Sequence, residues 1–487
     1  MAPDVVVVGS GPNGLAAAVT AARAGLAVEV HELADDPGGG LRSRALFHPD
    51  VRHDICAAVH PMAPVSPFFR EFDLAARGVE LLAPEISYAH PFPGGRAALA
   101  HRDLDETCAR LGADGPRWRA LMTPLLEHSR GLVDFLLSAQ RGLPADPAVL
   151  PLLARGVLAH GTPLAARRFA GEEAGALLAG VAAHVVGAMP TPTSAAVALL
   201  LGHLAHGAGW PVPRGGSARI AEALVADLVA HGGKVVTGHR VTDLREFRDA
   251  RAVLLDVGPR GFLALAGPLL PERYRRRLRS YRYGPGAAKV DFLVSGPIPW
   301  TDPEVGRAGT VHLGGTLREV FRQETAVAGG RPGTEPFVLV VDPCAADPDR
   351  GAGDLRPVWA YAHVPNGDPA DPVAPVTARI ERHAPGFTDT VVARQGTSAA
   401  ALERYNPNYV GGDIAAGAMT LRQAVFRPTP RLDPYRTPLA GVYLCSSATP
   451  PGPGVHGMCG HLAARSALRR EFGLRSAPPL SPGGGHR

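Results

Sequence analysis

Lysine is almost absent from this chain, and its cysteines lack the spacing of a redox or zinc site. The 487 residues include two lysines, Lys234 and Lys289, so the formal net charge of +5 is carried by arginine. The five cysteines are odd in number, and none stands in a Cys-x-x-Cys motif. These observations argue against a disulfide framework, a zinc ribbon and a disulfide-reductase pair.

Several other sequence signals are missing as well. There is no Gly-x-Ser-x-Gly turn for a serine nucleophile and no His-x-x-x-His spacing for a metal. The N-terminus has no charged segment before its apolar run, which argues against a signal peptide and predicts a cytoplasmic protein. Basic residues cluster at 273–279, where we expect a solvated helix face or, alternatively, contact with anionic lipid or a partner. No motif favours nucleic-acid binding.

A long stretch carries no charge at all. Between Glu173 and Arg214 there is no Asp, Glu, Lys or Arg, and two prolines divide the stretch into segments 174–189 and 194–208. Each segment is shorter than the roughly 20 apolar residues that a membrane span needs. We expect buried helices of a substrate domain. The alternative is a surface of peripheral membrane contact that admits a lipophilic substrate.

Residues 5–14, Val-Val-Val-Val-Gly-Ser-Gly-Pro-Asn-Gly, predict a buried strand that enters a glycine turn and then a helix. Gly9 permits the tight turn, Gly11 lets the backbone approach a pyrophosphate, and Gly14 lets the helix pack closely on the strand. The unpaired N–H groups at the start of the helix favour the negative charge of the pyrophosphate. This pattern predicts dinucleotide binding.

The next residues favour FAD over NAD as the dinucleotide. A second strand, residues 27–31, ends at Glu32, whose carboxylate can accept hydrogen bonds from ribose hydroxyls and repel a 2′-phosphate. A second glycine cluster then supplies Gly38 and Gly39, and Arg42 offers a planar donor fork to phosphate. No second strand–GxGxxG–helix unit follows, so we expect one dinucleotide site.

Nucleotide-domain signals recur in three separated parts of the chain. We predict an α/β fold in which residues 1–75, 210–265 and 410–472 form a Rossmann-type FAD-binding domain of the glutathione-reductase-like class. Residues 76–209 and 266–409 would form an inserted mixed α+β substrate-binding domain, and 473–487 a disordered tail. In the second insert we expect strands at 288–294, 311–314, 337–341 and 358–363.

The three-part arrangement and its motifs resemble the phytoene-desaturase-like branch of the flavin amine oxidase superfamily. The resemblance covers essentially the whole chain and rests on residues 4–14, 37–43, 53–61, 209–216 and 442–460. It is closest to bacterial FAD-dependent oxidoreductases of that branch that have no agreed substrate. The resemblance implies a two-domain flavoprotein. Known members of the branch desaturate, saturate or isomerise polyenes, and relatives oxidise amines.

The resemblance also assigns roles near the C-terminus. A helix predicted to start at residues 455–458 would point its N-terminus at the N1/C2=O edge of the flavin and stabilise the reduced, anionic form. His456 would add a donor or a proton, or would instead be a loop histidine held by backbone. The expected cofactor-binding residues are Gly9, Gly11, Pro12, Asn13, Gly14, Glu32, Gly38, Gly39, Arg42, Val241, Val455, His456, Gly457 and Met458.

Three residues are catalytic candidates: Lys289, His456 and His60. In amine-oxidase relatives, a lysine that begins a comparable strand holds a water near flavin N5. Lys289 matches that position, and the alternative is an ion pair with Asp291. His60, like His53 and Asp54, could be an acid or base or a buried structural polar residue. Covalent flavin attachment through Cys445 or Cys459 is the alternative to two buried apolar thiols.

We therefore predict an enzyme in which noncovalent FAD takes a hydride from a C–C or C–N bond of an apolar or amphiphilic small molecule. Oxygen or another external acceptor would then reoxidise the reduced flavin. Two alternatives remain open. One is a non-redox isomerase of a polyene-like substrate that uses reduced FAD. The other is a flavin-bound scaffold protein without catalysis.

Overall fold

The computed structural model describes residues 2–333 and 335–483, which form two sheets with helices packed around them. The strands, in chain order, are β1 (Val5–Val8), β2 (Val28–His31), β3 (Ser43–His48), β4 (Val51–Asp54), β5 (Leu81–Leu82), β6 (Ile86–Pro91), β7 (Ala97–His101), β8 (Val212–Pro213), β9 (Lys234–Val236), β10 (Ala252–Leu255), β11 (Gly286–Ser295), β12 (Val311–Leu313), β13 (Val338–Val341), β14 (Leu355–Val364), β15 (Val391–Thr397) and β16 (Val442–Leu444).

The helices surround these strands, and short 3-10 turns connect several of them. The helices are α1 (Pro12–Ala22), α2 (Pro67–Phe72), α3 (Leu104–Arg110), α4 (Gly115–Glu127), α5 (Ser129–Leu136), α6 (Val149–His160), α7 (Glu173–Ala182), α8 (Pro192–His206), α9 (Ala218–Ala230), α10 (Pro259–Ala266), α11 (Glu272–Arg279), α12 (Leu317–Ala328), α13 (Val373–Glu381), α14 (Phe387–Thr390), α15 (Ala399–Tyr405), α16 (Leu421–Phe426) and α17 (Met458–Glu471).

The first sheet is parallel and has the strand order β16-β10-β1-β2-β9. All four residues of β1 are buried, as a continuous apolar run predicts for a strand covered on both faces. Its neighbours β10 and β2 are separated from it by very different lengths of chain. Because the sheet draws strands from the N-terminal, central and C-terminal parts of the sequence, the predicted α/β fold with a Rossmann-type domain is confirmed.

Helices α1 and α17 cross at very close range beside this sheet. A Cβ added to Gly460 would lie 1.7 Å from the carbonyl oxygen of Asn13, so this contact admits no side chain. Alanines such as Ala16 and Ala464 are buried around the crossing. Small residues therefore hold the C-terminal helix against the helix that follows the glycine turn.

The second sheet is mixed, with the order β15-β11-β14-β13-β12-β6-β7. All its neighbouring strands run antiparallel except β12 and β6. The four strands expected in the second insert are present, but β11 begins at Gly286 and β14 at Leu355, earlier than predicted. Lys289 therefore lies inside β11, paired with Tyr361, rather than opening the strand.

The uncharged stretch forms two buried helices. All but the first residue of α7 is buried, and most of α8 is buried with it. Both helices belong to the apolar core that covers one face of the mixed sheet. Within residues 2–333 and 335–483, no helix combines the length and the apolar character needed to cross a membrane.

Part of the tail that was predicted to be disordered, residues 473–487, makes defined contacts at residues 479–481. Leu480 is buried, and its N–H group donates to the carboxylate of Glu71. The carbonyl oxygens of Pro479 and Ser481 accept hydrogen bonds from the Arg23 guanidinium. One buried leucine and these backbone bonds hold the segment, despite its Pro/Gly-rich composition. Residues 484–487 lie outside the described part of the chain.

Candidate functional site

A cavity of about 500 Å³ extends from the glycine turn after β1 to the mixed sheet. Its wall combines residues that are distant in sequence, because the two sheets meet there. The residues that line it include Gly9, Gly11, Pro12, Asn13, Glu32, Gly39, Arg42, Cys56, Val241, Asp256, Ala287, Lys289, Trp359, Tyr361, Leu402, Tyr409, Ile414, Ala416 and Val455.

The three glycine positions of the turn have no room for a side chain. A Cβ on Gly14 would lie 2.1 Å from the carbonyl oxygen of Gly9, and a Cβ on Gly11 would lie 2.6 Å from an oxygen of Asp256. Gly9 itself has a φ of +98°, which strains any L side chain. The turn therefore presents bare backbone to the cavity at Gly9 and Gly11, whereas Gly14 is packed behind them.

Asp256 is a site residue that the sequence analysis missed. It follows β10 directly and accepts a hydrogen bond from the Gly14 N–H group at 3.0 Å. Burial raises the pKa of this carboxyl to about 7, the Gly14 N–H opposes that rise, and nearby Glu32 adds to it. An acidic residue at the carboxyl end of a parallel strand was the available signal, since such ends meet at one edge of the sheet.

Glu32 and Arg42 bind each other at the cavity wall. One Glu32 oxygen accepts from the backbone N–H of Ser10 at 2.9 Å, and the other accepts from Arg42 at 3.1 Å. The Arg42 guanidinium also donates to the carbonyl oxygen of Asp36. Both predicted residues therefore line the cavity, but part of the Arg42 fork is already committed to Glu32.

The second glycine cluster packs against the first. A Cβ on Gly39 would lie 2.8 Å from the Cα atom of Gly11, so the two loops touch through backbone. Gly39 lines the cavity, whereas Gly38 lies behind it and donates its N–H to the carbonyl oxygen of Ser10. Among the other predicted residues, Pro12, Asn13, Val241 and Val455 line the cavity.

Lys289 lies at the opposite end of the cavity and is 4% exposed. Its Nζ atom donates to both carboxylate oxygens of Asp291, at 2.6 and 2.8 Å, and to the carbonyl oxygen of Asp54 at 3.0 Å. The ring of Trp359 is centred 5.7 Å from the ammonium. Burial raises the pKa of Asp291, and the charge of Lys289 opposes that rise. This geometry is the ion pair named above as the alternative for Lys289.

The C-terminal loop contributes less of the wall than expected. Helix α17 begins at Met458, at the end of the predicted range 455–458, because Gly457 adopts a left-handed conformation with a φ of +69°. His456, Gly457 and Met458 do not line the cavity. The Nδ1 atom of His456 accepts from the Met458 N–H, and Nε2 contacts the Gly452 carbonyl oxygen at 3.2 Å. Burial lowers the pKa of His456 to about 4, so the ring is neutral at neutral pH. Both ring nitrogens contact backbone atoms.

His60 is also buried away from the cavity. Its Nε2 atom is 2.8 Å from the hydroxyl of Ser217, and burial lowers its pKa to about 4. Nearby, His53 contacts the carbonyl oxygen of Phe292, and Asp54 pairs with Arg350. These contacts match the structural alternative for the three polar residues.

The cysteines divide between the wall and the core. Cys445 and Cys459 are buried outside the cavity, and burial raises the pKa of each thiol, that of Cys459 to about 12. Cys56, by contrast, lines the cavity beside Tyr409, and burial raises its pKa to about 11. All three thiols are poor nucleophiles at neutral pH, because the thiolate is the reactive form.

Residues 7–72 match the model of the NAD(P)-binding Rossmann-like domain. Three named proteins match this chain over almost the full length of both sequences. A mouse pyridine nucleotide-disulfide oxidoreductase domain-containing protein 2 is 28% identical over 96% of this chain and 93% of its own length. One of the limonene dehydrogenase subunits of Castellaniella defragrans is 24% identical over 97% and 95%. The phytoene dehydrogenase of Streptomyces griseus is 27% identical over 99% and 97%.

Solved structures share the fold at lower sequence identity. A putrescine oxidase variant superposes with a TM-score of 0.61 at 18% identity, covering 96% of this chain and 99% of that one. The cyclohexylamine oxidase of Brevibacterium oxydans superposes with a TM-score of 0.57 at 14% identity, covering 97% and 100%. The Rossmann-like match, the full-length dehydrogenase relatives and this shared fold agree with one another. This chain therefore contains a Rossmann-like dinucleotide-binding region, is similar to named dehydrogenases over nearly its full length, and shares its fold with flavin amine oxidases.

Proposed function

We propose that this enzyme uses FAD to remove a hydride from a C–C or C–N bond of an apolar or amphiphilic small molecule. One observation carries the proposal: a continuous cavity joins the glycine turn of the parallel sheet to the mixed sheet. In Rossmann-type domains the dinucleotide lies at the carboxyl ends of the strands, over such a turn. A cavity that continues from there to a second sheet has room for a substrate beside the reactive end of the cofactor.

The residues present fit such a dinucleotide. Bare backbone at Gly9, Gly11 and Gly39 would hold the pyrophosphate, and Glu32 would accept from the ribose. Two buried polar atoms of the wall, Oδ1 of Asn13 and Nε1 of Trp359, have no hydrogen-bond partner within the described residues. Buried polar groups are normally paired, so these atoms are consistent with a ligand in the cavity.

The chemistry and the wall fit each other. Bound FAD supplies a two-electron acceptor for the hydride, and oxygen or another external acceptor then takes the electrons. At the mixed-sheet end, the wall is formed by Ala287, Tyr361, Leu402 and Ile414 beside the Lys289–Asp291 pair. These side chains exclude water and offer an apolar surface to the substrate, while the ion pair leaves no net charge there.

The names of two relatives support the substrate class. Phytoene dehydrogenase and limonene dehydrogenase are named for hydrocarbon substrates, and both match this chain over nearly its full length. A hydrocarbon offers no charged group for recognition. Shape and apolar contact must therefore select it, as the wall at the mixed-sheet end would allow.

Anaerobic titration of the holoenzyme tests the proposal. Candidate terpenes, polyenes and amines are mixed with the protein, and the visible flavin absorbance is recorded. We expect at least one compound to bleach it stoichiometrically and to yield a product with one more double bond or an imine. If the enzyme converts a compound without any electron acceptor and without net bleaching of the flavin, the protein is an isomerase and the proposal is wrong. If no compound bleaches the flavin while a partner protein co-purifies, a scaffold role is favoured instead.

We predict that FAD binds less tightly as the pH rises through about 7. Below that pH, Asp256 is protonated and adds no charge beside the glycine turn. Above it, the ionised carboxylate repels the pyrophosphate that the turn would hold. Asp256→Asn keeps an acceptor for the Gly14 N–H and should bind FAD with a nearly flat pH dependence. Fluorescence titrations between about pH 5 and pH 9 measure the difference, and an unchanged slope in this variant would contradict the assignment.

We also predict that Lys289→Met slows reoxidation of the reduced enzyme by air. A buried ammonium stabilises the negative charge that develops on oxygen, and its loss should cost about tenfold in rate, which corresponds to about 1.4 kcal/mol. Stopped-flow mixing with aerated buffer measures the rate. Lys289→Arg retains the charge and serves as the control. An unchanged rate in Lys289→Met would leave Lys289 with its ion-pair role alone.

A further inference from the structure

Exposed apolar side chains concentrate in two segments of the surface. Of the thirteen large hydrophobic side chains that are exposed within the described residues, seven lie in residues 143–164 and 421–432. Leu143 is 88% exposed and Leu432 is 94% exposed. The other five are Leu150, Leu158, Leu164, Leu421 and Phe426. Exposed apolar residues scattered singly need no explanation, but a concentration of this kind indicates an interaction surface.

The two segments lie side by side. The Arg141 guanidinium donates to the carbonyl oxygen of Val425 at 2.8 Å and lies 5.9 Å from the ring centre of Phe426. Helices α6 and α16, one from each segment, both pack on the buried helix α8. We call the surface formed by residues 141–168 and 421–432 the Leu143–Leu432 face.

Helix α6 presents an apolar stripe on this face. Leu150, Ala154 and Leu158 are spaced by four residues, which places them on one side of a helix, and all three are exposed. The other side of α6 packs on α8, where a Cβ on Gly156 would lie 2.5 Å from Leu199. The apolar stripe therefore faces solvent although the helix has a separate buried side.

The charge of the face is almost entirely positive. Residues 141–168 contain four arginines and one carboxylate, Asp146, which already contacts His128 at 2.6 Å. Residues 421–432 contain no carboxylate and add the exposed Arg422 and the half-buried Arg431 to the face, whereas Arg427 is buried. In the part of the chain that the structure describes, no ion pair involves Arg155, Arg167, Arg168 or Arg422. Apolar side chains interspersed with arginines match the interface of a membrane with anionic headgroups.

The arginine-rich helix α11 extends the positive charge of the face. The guanidinium of Arg431 lies 5.9 Å from the ring centre of Tyr274 on α11. Tyr274 and Leu278 are buried, whereas Arg273 and Arg276 are exposed, so α11 has the solvated arginine face that its sequence predicts. Glu272 pairs with Arg275 and Arg279, which leaves α11 with a surplus of positive charge.

We propose that the Leu143–Leu432 face docks on the surface of an anionic lipid membrane. The chain that forms the cavity wall at Ile414 and Ala416 continues into α16 of this face. The Thr193 hydroxyl on α8 donates to the carbonyl oxygen of Met419. This bond anchors the chain just before α16 to α8. Docking there would bring a reservoir of lipophilic molecules beside the enzyme. The proposal does not depend on which substrate is oxidised.

Co-sedimentation of the holoprotein with vesicles tests the proposal. Vesicles of phosphatidylcholine alone are compared with vesicles that also contain phosphatidylglycerol. We expect binding to the mixed vesicles and much weaker binding to the neutral ones, and high salt should reduce the binding. Equal sedimentation with and without either type of vesicle would overturn the proposal.

Two variants and their matched controls locate the contact. Leu158→Asp combined with Leu432→Asp should abolish vesicle binding, whereas Val392→Asp with Leu474→Asp, at exposed apolar sites elsewhere, should not. Arg155→Gln, Arg167→Gln and Arg168→Gln together should weaken binding on the order of a hundredfold, at ~1 kcal/mol for each arginine. The control for that triple variant is Arg318→Gln, Arg322→Gln and Arg331→Gln. A control that loses as much binding as its test variant would overturn the assignment.

Self-association is the competing explanation for an exposed apolar face. Light scattering after gel filtration compares the wild type with the Leu158→Asp, Leu432→Asp variant. We expect the same mass for both and an unchanged flavin content. A wild-type dimer that becomes a monomer in the variant would assign the face to a second copy of the chain. Because flavin reduction is measured separately, loss of vesicle binding leaves the proposed oxidoreductase function intact.

Discussion

Gly14→Ala is expected to yield a protein that retains almost no FAD. The added Cβ would lie 2.1 Å from the carbonyl oxygen of Gly9 and 3.0 Å from an oxygen of Asp256. Because the Gly9 oxygen belongs to the backbone of the turn, the backbone must shift to make room for the Cβ. We expect this shift to break the hydrogen bond from the N–H of residue 14 to Asp256. We expect a loss of at least about 3 kcal/mol of binding free energy, which is on the order of a hundredfold in Kd. Flavin content after purification and titration with added FAD measure it.

Gly142→Ala is the matched control for this substitution. The φ of Gly142 lies outside the left-handed region, and a Cβ there would meet no atom within 4 Å. This variant should retain the flavin content and melting temperature of the wild type. If Gly14→Ala binds FAD as tightly as Gly142→Ala does, the glycine turn is not the pyrophosphate site.

Lys289→Met is expected to destabilise the fold by about 3–5 kcal/mol at neutral pH, because a buried charge loses its partner. Asp291 is 4% exposed, and both of its carboxylate oxygens are bound by the Lys289 ammonium. Without that ammonium, the pKa of Asp291 rises further above its value in the unfolded chain. The deficit should therefore shrink as the pH falls, because a protonated Asp291 carries no buried charge. Urea unfolding at several pH values measures it.

The double variant Lys289→Met, Asp291→Asn separates the ion pair from simple packing. Replacement of both partners removes the unpaired charge, so we expect most of the lost stability to return. Asp291→Asn alone is the reciprocal control and should also be destabilised, because it leaves the buried Lys289 without its counter-charge. A double variant as unstable as Lys289→Met would show that the carboxylate of Asp291 is not the cause.

The glycine turn could be predicted from sequence because its chemistry is local. Gly9, Gly11 and Gly14 are required by contacts within one strand, one turn and one helix, and a Cβ at each meets neighbours at 3.0 Å or less. The parallel sheet was predictable for a similar reason. Continuous apolar strands such as β1 and β10 are typical of sheets covered on both faces.

The far end of the cavity could not be predicted, because it exists only after folding. Trp359 and Tyr361 reach the wall through the pairing of β14 with β11, which the sequence does not specify. The same pairing places Lys289 inside its strand. For His456 the sequence left open a role at the flavin or a place in the loop held by backbone, and only the folded loop, with Gly457 in a left-handed conformation, shows the histidine bound to backbone. Local propensity does not contain these tertiary contacts.

The account depends on one claim: the N-terminal, central and C-terminal parts of the chain enclose one molecule of FAD. The most direct measurement is to purify the protein, unfold it and identify the released chromophore by chromatography and mass spectrometry. We predict noncovalent release of FAD at up to one molecule per chain, with a colourless preparation regaining its yellow colour when FAD is added. A colourless protein that takes up no added FAD would contradict the account.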